Sequence, residues 1–307
     1  MKWLWVVSRG DVSIQVDCRA ARQFEDGFRG GLRAYTGQYE VNLLASSLKA
    51  RLRAGEPSFG AFLSFDFWPG YLEIFQAEGM HFAVLDMEHG SATLPQAEEL
   101  CRVARLIDFP LLLRPESSLF HTMKKYLDMG PAGLMIPWVE EEVQVRTVLD
   151  SMFTPPRGRR GPGGNAIFHN RTLDRAGWDG IEPNLFLMPQ IETPRGVANS
   201  KLIASPEGVD ALMLGPYDLS LNMGLCWQPE HPSLVDAIVN VRLSAAEAGK
   251  PCGMVVGTVE QAGLWMDRGF NFFICSEVTS MVRTQTHVLV QGMRDAADSR
   301  RSGASKP

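Results

Sequence analysis

The chain has 307 residues, with 30 Lys and Arg against 35 Asp and Glu for a formal charge of −5; 45% of its residues are hydrophobic and 21% charged. That is the make-up of a soluble globular protein, long enough for two ordinary domains or for one α/β barrel of about 250 residues. A mildly acidic chain with no Lys/Arg block lacks the electrostatic footprint of a nucleic-acid or anionic-membrane binder. No run approaches the roughly 20 apolar residues of a membrane-spanning helix. Cys18, Cys101, Cys226, Cys252 and Cys275 are odd in number, widely spaced and free of CxxC pairs, which suits a reducing compartment. The apolar opening Met1 to Val7 stops at Ser8-Arg9-Gly10-Asp11, short of a signal-peptide core. A cytoplasmic location is expected.

In chain order, residues 1–41 mix Arg, Asp, Glu and Gly with few apolar positions and are expected to form a flexible extension, because they bury too little to offset ordering. Residues 42–55 (NLLASSLKARLRAG) read as an amphipathic helix closed by Gly55. Eight short apolar runs follow, at 59–65, 82–86, 111–114, 134–137, 185–190, 211–214, 252–256 and 272–275. Too brief for helices and bounded by Gly, Pro or charge, they have the signature of buried parallel strands. Helical periodicity fills 94–106, 119–127, 140–152, 234–248 and 259–268 between them. Strand and helix alternating in this way predict an α/β protein, a (β/α)8 TIM barrel spanning 42–294. A doubly wound open sheet is the competing architecture, but the Gly-rich phosphate turn expected after its first strand is missing. The connection 154–184 is long enough to be a functional lid. Residues 295–307 are expected to be a disordered tail.

In such a barrel the carboxyl ends of the strands share one mouth. Strand two ends in Asp86-Met87-Glu88-His89, strand three in Arg114, strand five in Gln190-Ile191-Glu192 and strand six in Gly215-Pro216-Tyr217-Asp218. Glu192 and Asp218 are the candidate metal pair, since two hard carboxylates leave coordination positions for water and substrate, as Mg²⁺ or Mn²⁺ sites do. Either could instead cap the helix that follows it. Arg114 suits bidentate contact with a carboxylate or a developing oxyanion, or else an internal salt bridge. His89 can accept a proton near neutral pH.

The motifs LDMEHG, LLLRP, PPRGRRG, PQIET and GPYDLS, in this order, resemble the HpcH/HpaI class II aldolase family; KPCG and GPYDLSLNMG are similar to macrophomate synthase and its fungal relatives within it. The resemblance covers about 42–290. It implies a phosphoenolpyruvate/pyruvate-type barrel with a divalent ion (Mg²⁺, Mn²⁺ or Co²⁺) that makes or breaks carbon–carbon bonds beside pyruvate-like 2-oxo acids, with an aldehyde as partner substrate. It also implies that Glu192 and Asp218 are metal ligands, and that Gln190 and the turn from Gly215 through Pro216 and Tyr217 to Asp218 contact the oxo acid. By the same resemblance Arg114 stabilises the enolate oxygen, His89 is the acid/base, and Asp86 and Glu88 share its motif. Asp128, in KKYLDMG, matches an aspartate that raises the histidine's basicity. Placed at the end of helix three, it reaches a mouth only from a neighbouring subunit, so a homo-oligomer is expected, a hexamer by family resemblance. Arg160 and Gly161 match the RG of the family's lid loop.

Tyr217, where the bacterial aldolases carry a small residue, Phe168 and His169 in the lid, and Met87 all depart from the family pattern and leave the aldehyde open. Oxaloacetate decarboxylation is an alternative outcome. Rival assignments are a citrate- or malyl-CoA-type lyase, which needs a basic surface for CoA phosphates, and a non-catalytic barrel used for binding. A buried set of repelling charges argues against the last.

Overall fold

The computed structural model describes residues 45–161, 163, 175–226 and 228–303. The expected extension 1–41, the lid residues Phe168 and His169, and residues 304–307 lie outside the described residues. Eight parallel strands close on themselves in sequence order: β1 (Ser58–Leu63), β2 (Phe82–Asp86), β3 (Leu111–Arg114), β4 (Gly133–Ile136), β5 (Phe186–Ile191), β6 (Leu212–Leu214), β7 (Cys252–Val256) and β8 (Phe272–Glu277). The (β/α)8 barrel expected from the alternation is therefore present. Strands buried on both faces need continuous apolar runs; β2, β3 and β5 are buried along their whole length.

The helices are α1 (Ser46–Arg53), α2 (Gly70–Ala77), α3 (Leu94–Leu106), α4 (Phe120–Asp128), α5 (Glu142–Met152), α6 (Arg175–Ile181), α7 (Pro194–Ala204), α8 (Pro216–Asn222), α9 (Pro232–Glu247), α10 (Val259–Met266) and α11 (Val278–Gly303). Local chemistry sets their ends. Gly55 takes φ +70° just past α1, and the Gly55 and Glu56 N–H groups donate to Leu52 and Arg51 carbonyls at 3.1 and 3.0 Å. That is a Schellman stop, as the Gly in the sequence suggests. Thr93 and Gln96 form a capping box at α3, and the Thr193 hydroxyl accepts from the Gly196 N–H at α7.

The interior is packed solid below the mouth. Phe82 and Phe272 meet with ring centroids 5.1 Å apart. Gly60 and Gly253 make room for them, since a Cβ at either would stand 2.5 Å from a ring atom.

Two expectations need correction. The tail expected to be disordered from 295 is helical as far as Gly303, as the end of α11. Local pairs support it: Gln291 Nε2 donates to Asp295 at 2.9 Å, and Ser299 Oγ donates to the Asp295 carbonyl at 2.8 Å. The connection 154–184 is not wholly loop, since it contains α6 and a 3-10 turn, Glu182–Asn184. The buried Glu182 carboxylate ties that turn to Thr154, accepting from its N–H and its hydroxyl at 2.6 Å each.

Candidate active site

At the carboxyl end of β2, Asp86 is buried, and its neighbour across the register is Arg114 of β3. The pairing is bidentate: Arg114 donates from Nε to Oδ1 at 2.9 Å and from Nη2 to Oδ2 at 2.7 Å. Ser64 Oγ, just beyond β1, donates to Asp86 Oδ2 at 3.1 Å. The backbone N–H groups of Glu88 and His89 donate to Oδ1 at 3.1 and 3.2 Å. Burial alone would raise the Asp86 pKa, but the Arg114 fork and these N–H groups hold it below the usual carboxylate value. The guanidinium also lies over the Phe62 ring, 4.6 Å from its centroid, and reaches Glu88 at 3.4 Å. Its geometry is fixed on three sides. His89 stands at the rim, its side chain 60% exposed and its Nε2 3.7 Å from Glu88.

On the β5 side Gln190 and Glu192 are both 2% exposed. Trp138, after β4, donates its backbone N–H to Glu192 Oε2 at 2.9 Å. Trp138 has φ +53°, a left-handed conformation that costs a non-glycine residue on the order of 1 kcal/mol, and that turn aims its N–H at the carboxylate. Gly215, after β6, is required by close approach: a Cβ there would stand 2.6 Å from Glu192 Oε1 and 2.8 Å from Gln190 Nε2. Pro216 begins α8 and Asp218 lies in its first turn. Asn222 Nδ2 clasps both strand ends, donating to the Glu192 and Asp218 carbonyls at 3.0 Å each. The Tyr217 ring is half exposed, its hydroxyl 3.4 Å from where a Gly257 Cβ would stand.

Electrostatically this side is under strain. Burial pushes the Glu192 carboxyl up to about 8; the Trp138 N–H favours its charged form, while Asp218 and Glu88 add repulsion that Arg114 only partly offsets. Glu88 is raised as well, first by burial and then by Asp86 and Asp218, against Arg114 and His89. Gln190 Oε1 is buried with no hydrogen-bond partner among the described residues. Crowded carboxylates and an unused amide oxygen form a hard-oxygen set suited to a divalent cation. Among the described residues no group of three or more His, Cys, Asp or Glu is arranged to hold a metal; a cation here would rest on Glu192 and Asp218, with its other positions open to substrate.

The sequence profile of the HpcH/HpaI aldolase/citrate lyase family matches residues 64–281. The chain belongs to this family. It is 33% identical over 251 residues to a hydroxypyruvate/pyruvate aldolase of Delftia acidovorans, a match covering 79% of this chain and 90% of the relative. Among solved structures, an HpcH/HpaI aldolase from Desulfitobacterium hafniense superposes with a TM-score of 0.75 at 28% identity, covering 80% of this chain and 96% of that one. Macrophomate synthase superposes with a TM-score of 0.68 at 22% identity over 83% of this chain and 90% of its own, a likeness of fold. The protein is an enzyme of the class II aldolase type, a lyase, as the HpcH/HpaI motifs imply.

The barrel of this HpcH/HpaI member brings Asp86, Arg114, Gln190, Glu192 and Gly215 to one end, and Pro216, Tyr217, Asp218 and His89 follow directly from the same strand ends. Asp128 and Arg160 are elsewhere. Asp128 closes α4 and pairs with Arg160 Nη2 at 3.2 Å, and the buried Arg160 guanidinium lies over Trp178, 5.4 Å from the ring centroid. Within one chain neither reaches His89 or Arg114, because the end of α4 leads back toward the amino ends of the strands. Ser64, Phe62, Trp138 and Asn222 went unnoticed in the sequence. Ser64 follows strand one as Glu88 and Glu192 follow theirs, so the same question about strand ends would have found it. Trp138's role is carried by its backbone, and no side-chain motif announces it.

Proposed function

We propose that the chain catalyses reversible aldol cleavage of 4-hydroxy-2-oxo acids to a pyruvate-type 2-oxo acid and an aldehyde, with a divalent metal, Mg²⁺, Mn²⁺ or Co²⁺, held by Glu192 and Asp218. The observation that carries it is the meeting of a clamped cation, Arg114 on Asp86, with the crowded carboxylate of Glu192 at one barrel mouth. The hydroxypyruvate/pyruvate aldolase of Delftia supports the substrate class.

When bound, the metal supplies Lewis-acid polarisation of the 2-oxo group, a contribution of several kcal/mol to enolate formation. Gln190, Gly215, Pro216 and Tyr217 shape the floor and wall on which the oxo acid rests. His89 takes the proton of the 4-hydroxyl; as the C3–C4 bond breaks, its electron pair passes into the oxo group and the aldehyde leaves. Arg114, held rigid by Asp86 and Phe62, faces the oxygen that becomes the enolate and needs no reorganisation to stabilise it. Protonation at carbon three completes cleavage, and addition runs in reverse. Tyr217 narrows the acceptor side.

Asp128, held by Arg160 at 3.2 Å, is supplied to the mouth of a neighbouring subunit, which makes the enzyme a homo-oligomer, a hexamer by family resemblance. A cytoplasmic location fits the free thiols Cys101, Cys226, Cys252 and Cys275, and no described helix is long and apolar enough to cross a membrane. Exchange of pyruvate methyl protons in deuterated water, with Mn²⁺ present, tests the proposal. Wild type should exchange and Glu192→Gln should not; equal exchange by both would remove Glu192 from the chemistry.

A further inference from the structure

Opposite the mouth, the amino ends of five strands frame a second cavity of about 450 Å³. Its charged wall comprises Lys49 and Arg53 of α1, Asp210 just before β6, Arg242 of α9 and Lys250 just before β7. Four cations face one carboxylate, in a chain whose formal charge is −5.

That carboxylate is already engaged. Asp210 lies 2.9 Å from Lys49 Nζ and accepts from the Leu187 N–H at 3.0 Å, while Lys49 also donates to the Pro183 carbonyl at 2.8 Å. This pair fastens α1 beneath the barrel. Arg53, Arg242 and Lys250 are left with no carboxylate within 4.0 Å among the described residues. Arg242 Nε is buried and makes no hydrogen bond among the described residues. Its Nη1 stands 3.4 Å from where a Cβ of Gly269 would be, so the glycine, at φ +85°, keeps a side chain out of the approach.

Three like charges gathered at a concave surface repel one another and concentrate counter-ions there. A guanidinium fork matches two phosphate oxygens, and flanking ammonium and guanidinium groups add charge without demanding a fixed direction. The cavity lies within the roughly 300–1,000 Å³ of small-molecule pockets and exceeds what one inorganic phosphate fills. We infer that this amino-end cavity binds a small phosphorylated metabolite, its phosphate group held between Arg242, Lys250 and Arg53 and its uncharged body in the remaining space. The site is separate from the proposed chemistry, since its lining comes from the amino ends of the strands and the mouth residues from their carboxyl ends.

Calorimetric titration of the full chain at low salt tests this, with inorganic phosphate, glucose 6-phosphate and citrate as probes. Glucose 6-phosphate should bind more tightly than inorganic phosphate or citrate. Arg242→Gln combined with Lys250→Gln should weaken it by at least about tenfold, the loss expected from two charge-assisted contacts, with an unchanged far-UV spectrum. Glu192→Gln, which alters only the mouth, should leave the titration as in wild type. No binding by any probe, binding that survives the double substitution, citrate binding as well as the sugar phosphate, or no gain from the sugar over inorganic phosphate would each overturn the assignment.

Discussion

Arg114 grips both carboxylate oxygens of Asp86, at 2.9 and 2.7 Å, from the neighbouring strand of the barrel. Both side chains are almost fully buried, so the pair is costly to break from one side. Asp86→Ala leaves a buried guanidinium with Glu88 as its remaining carboxylate contact, and should destabilise the fold by about 3 kcal/mol, read as a lowered denaturant midpoint. Because Asp86 titrates below its unfolded value of 3.8, its contribution is complete above that pH and disappears as pH falls through the lower folded value. A variant as stable as wild type at neutral pH would mean the pair is energetically neutral.

Glu192 gives the opposite sign. Its folded pKa of about 8 lies above the ordinary 4.5, so the folded state holds a proton that the unfolded state releases, and stability from this group falls as pH rises between those values. Metal binding must expel that proton. The affinity for Mn²⁺ should therefore rise by about tenfold per pH unit from about pH 6 and level off above about pH 8. A titration flat across this interval would show that Glu192 is ionised before metal arrives.

Gly215 has no room for a methyl group beside Glu192 and Gln190. Gly215→Ala should displace one of those side chains by several tenths of an ångström, lowering kcat by about a hundredfold while the melting temperature moves little. A normal kcat would show that the turn relaxes without disturbing the carboxylate.

Subunit sharing predicts complementation. Asp128→Asn and His89→Asn homomers should each be nearly inactive, and hybrids formed by unfolding and refolding them together should regain activity at sites that combine one intact residue from each chain. If hybrids stay inactive, Asp128 acts only through its Arg160 ion pair within one chain.

Much of the fold was legible because a parallel barrel writes itself as buried apolar runs. β2, β3 and β7 fall where the runs at 82–86, 111–114 and 252–256 place them. Helices α2, α7 and α8 were harder: each begins at Gly or Pro, residues that read as turn. The end of α11 was misjudged because residues 294–301 carry no large apolar side chain, so no apolar stripe marks it, and its helicity rests on short-range polar pairs. At the mouth the charged residues were recognisable from where strands end. Ser64 and Asn222 were not, because a hydroxyl and an amide acquire meaning only through partners that the fold brings to them.

The Phe82 and Phe272 rings, tilted against each other and admitted by Gly60 and Gly253, are a bulkhead as well as a filling. Close-packed aromatic side chains leave little room for a metabolite to pass along the lumen, so the two openings can diversify independently. Replacing either glycine with alanine would jam the aromatic layer itself, and the damage would register at both openings at once.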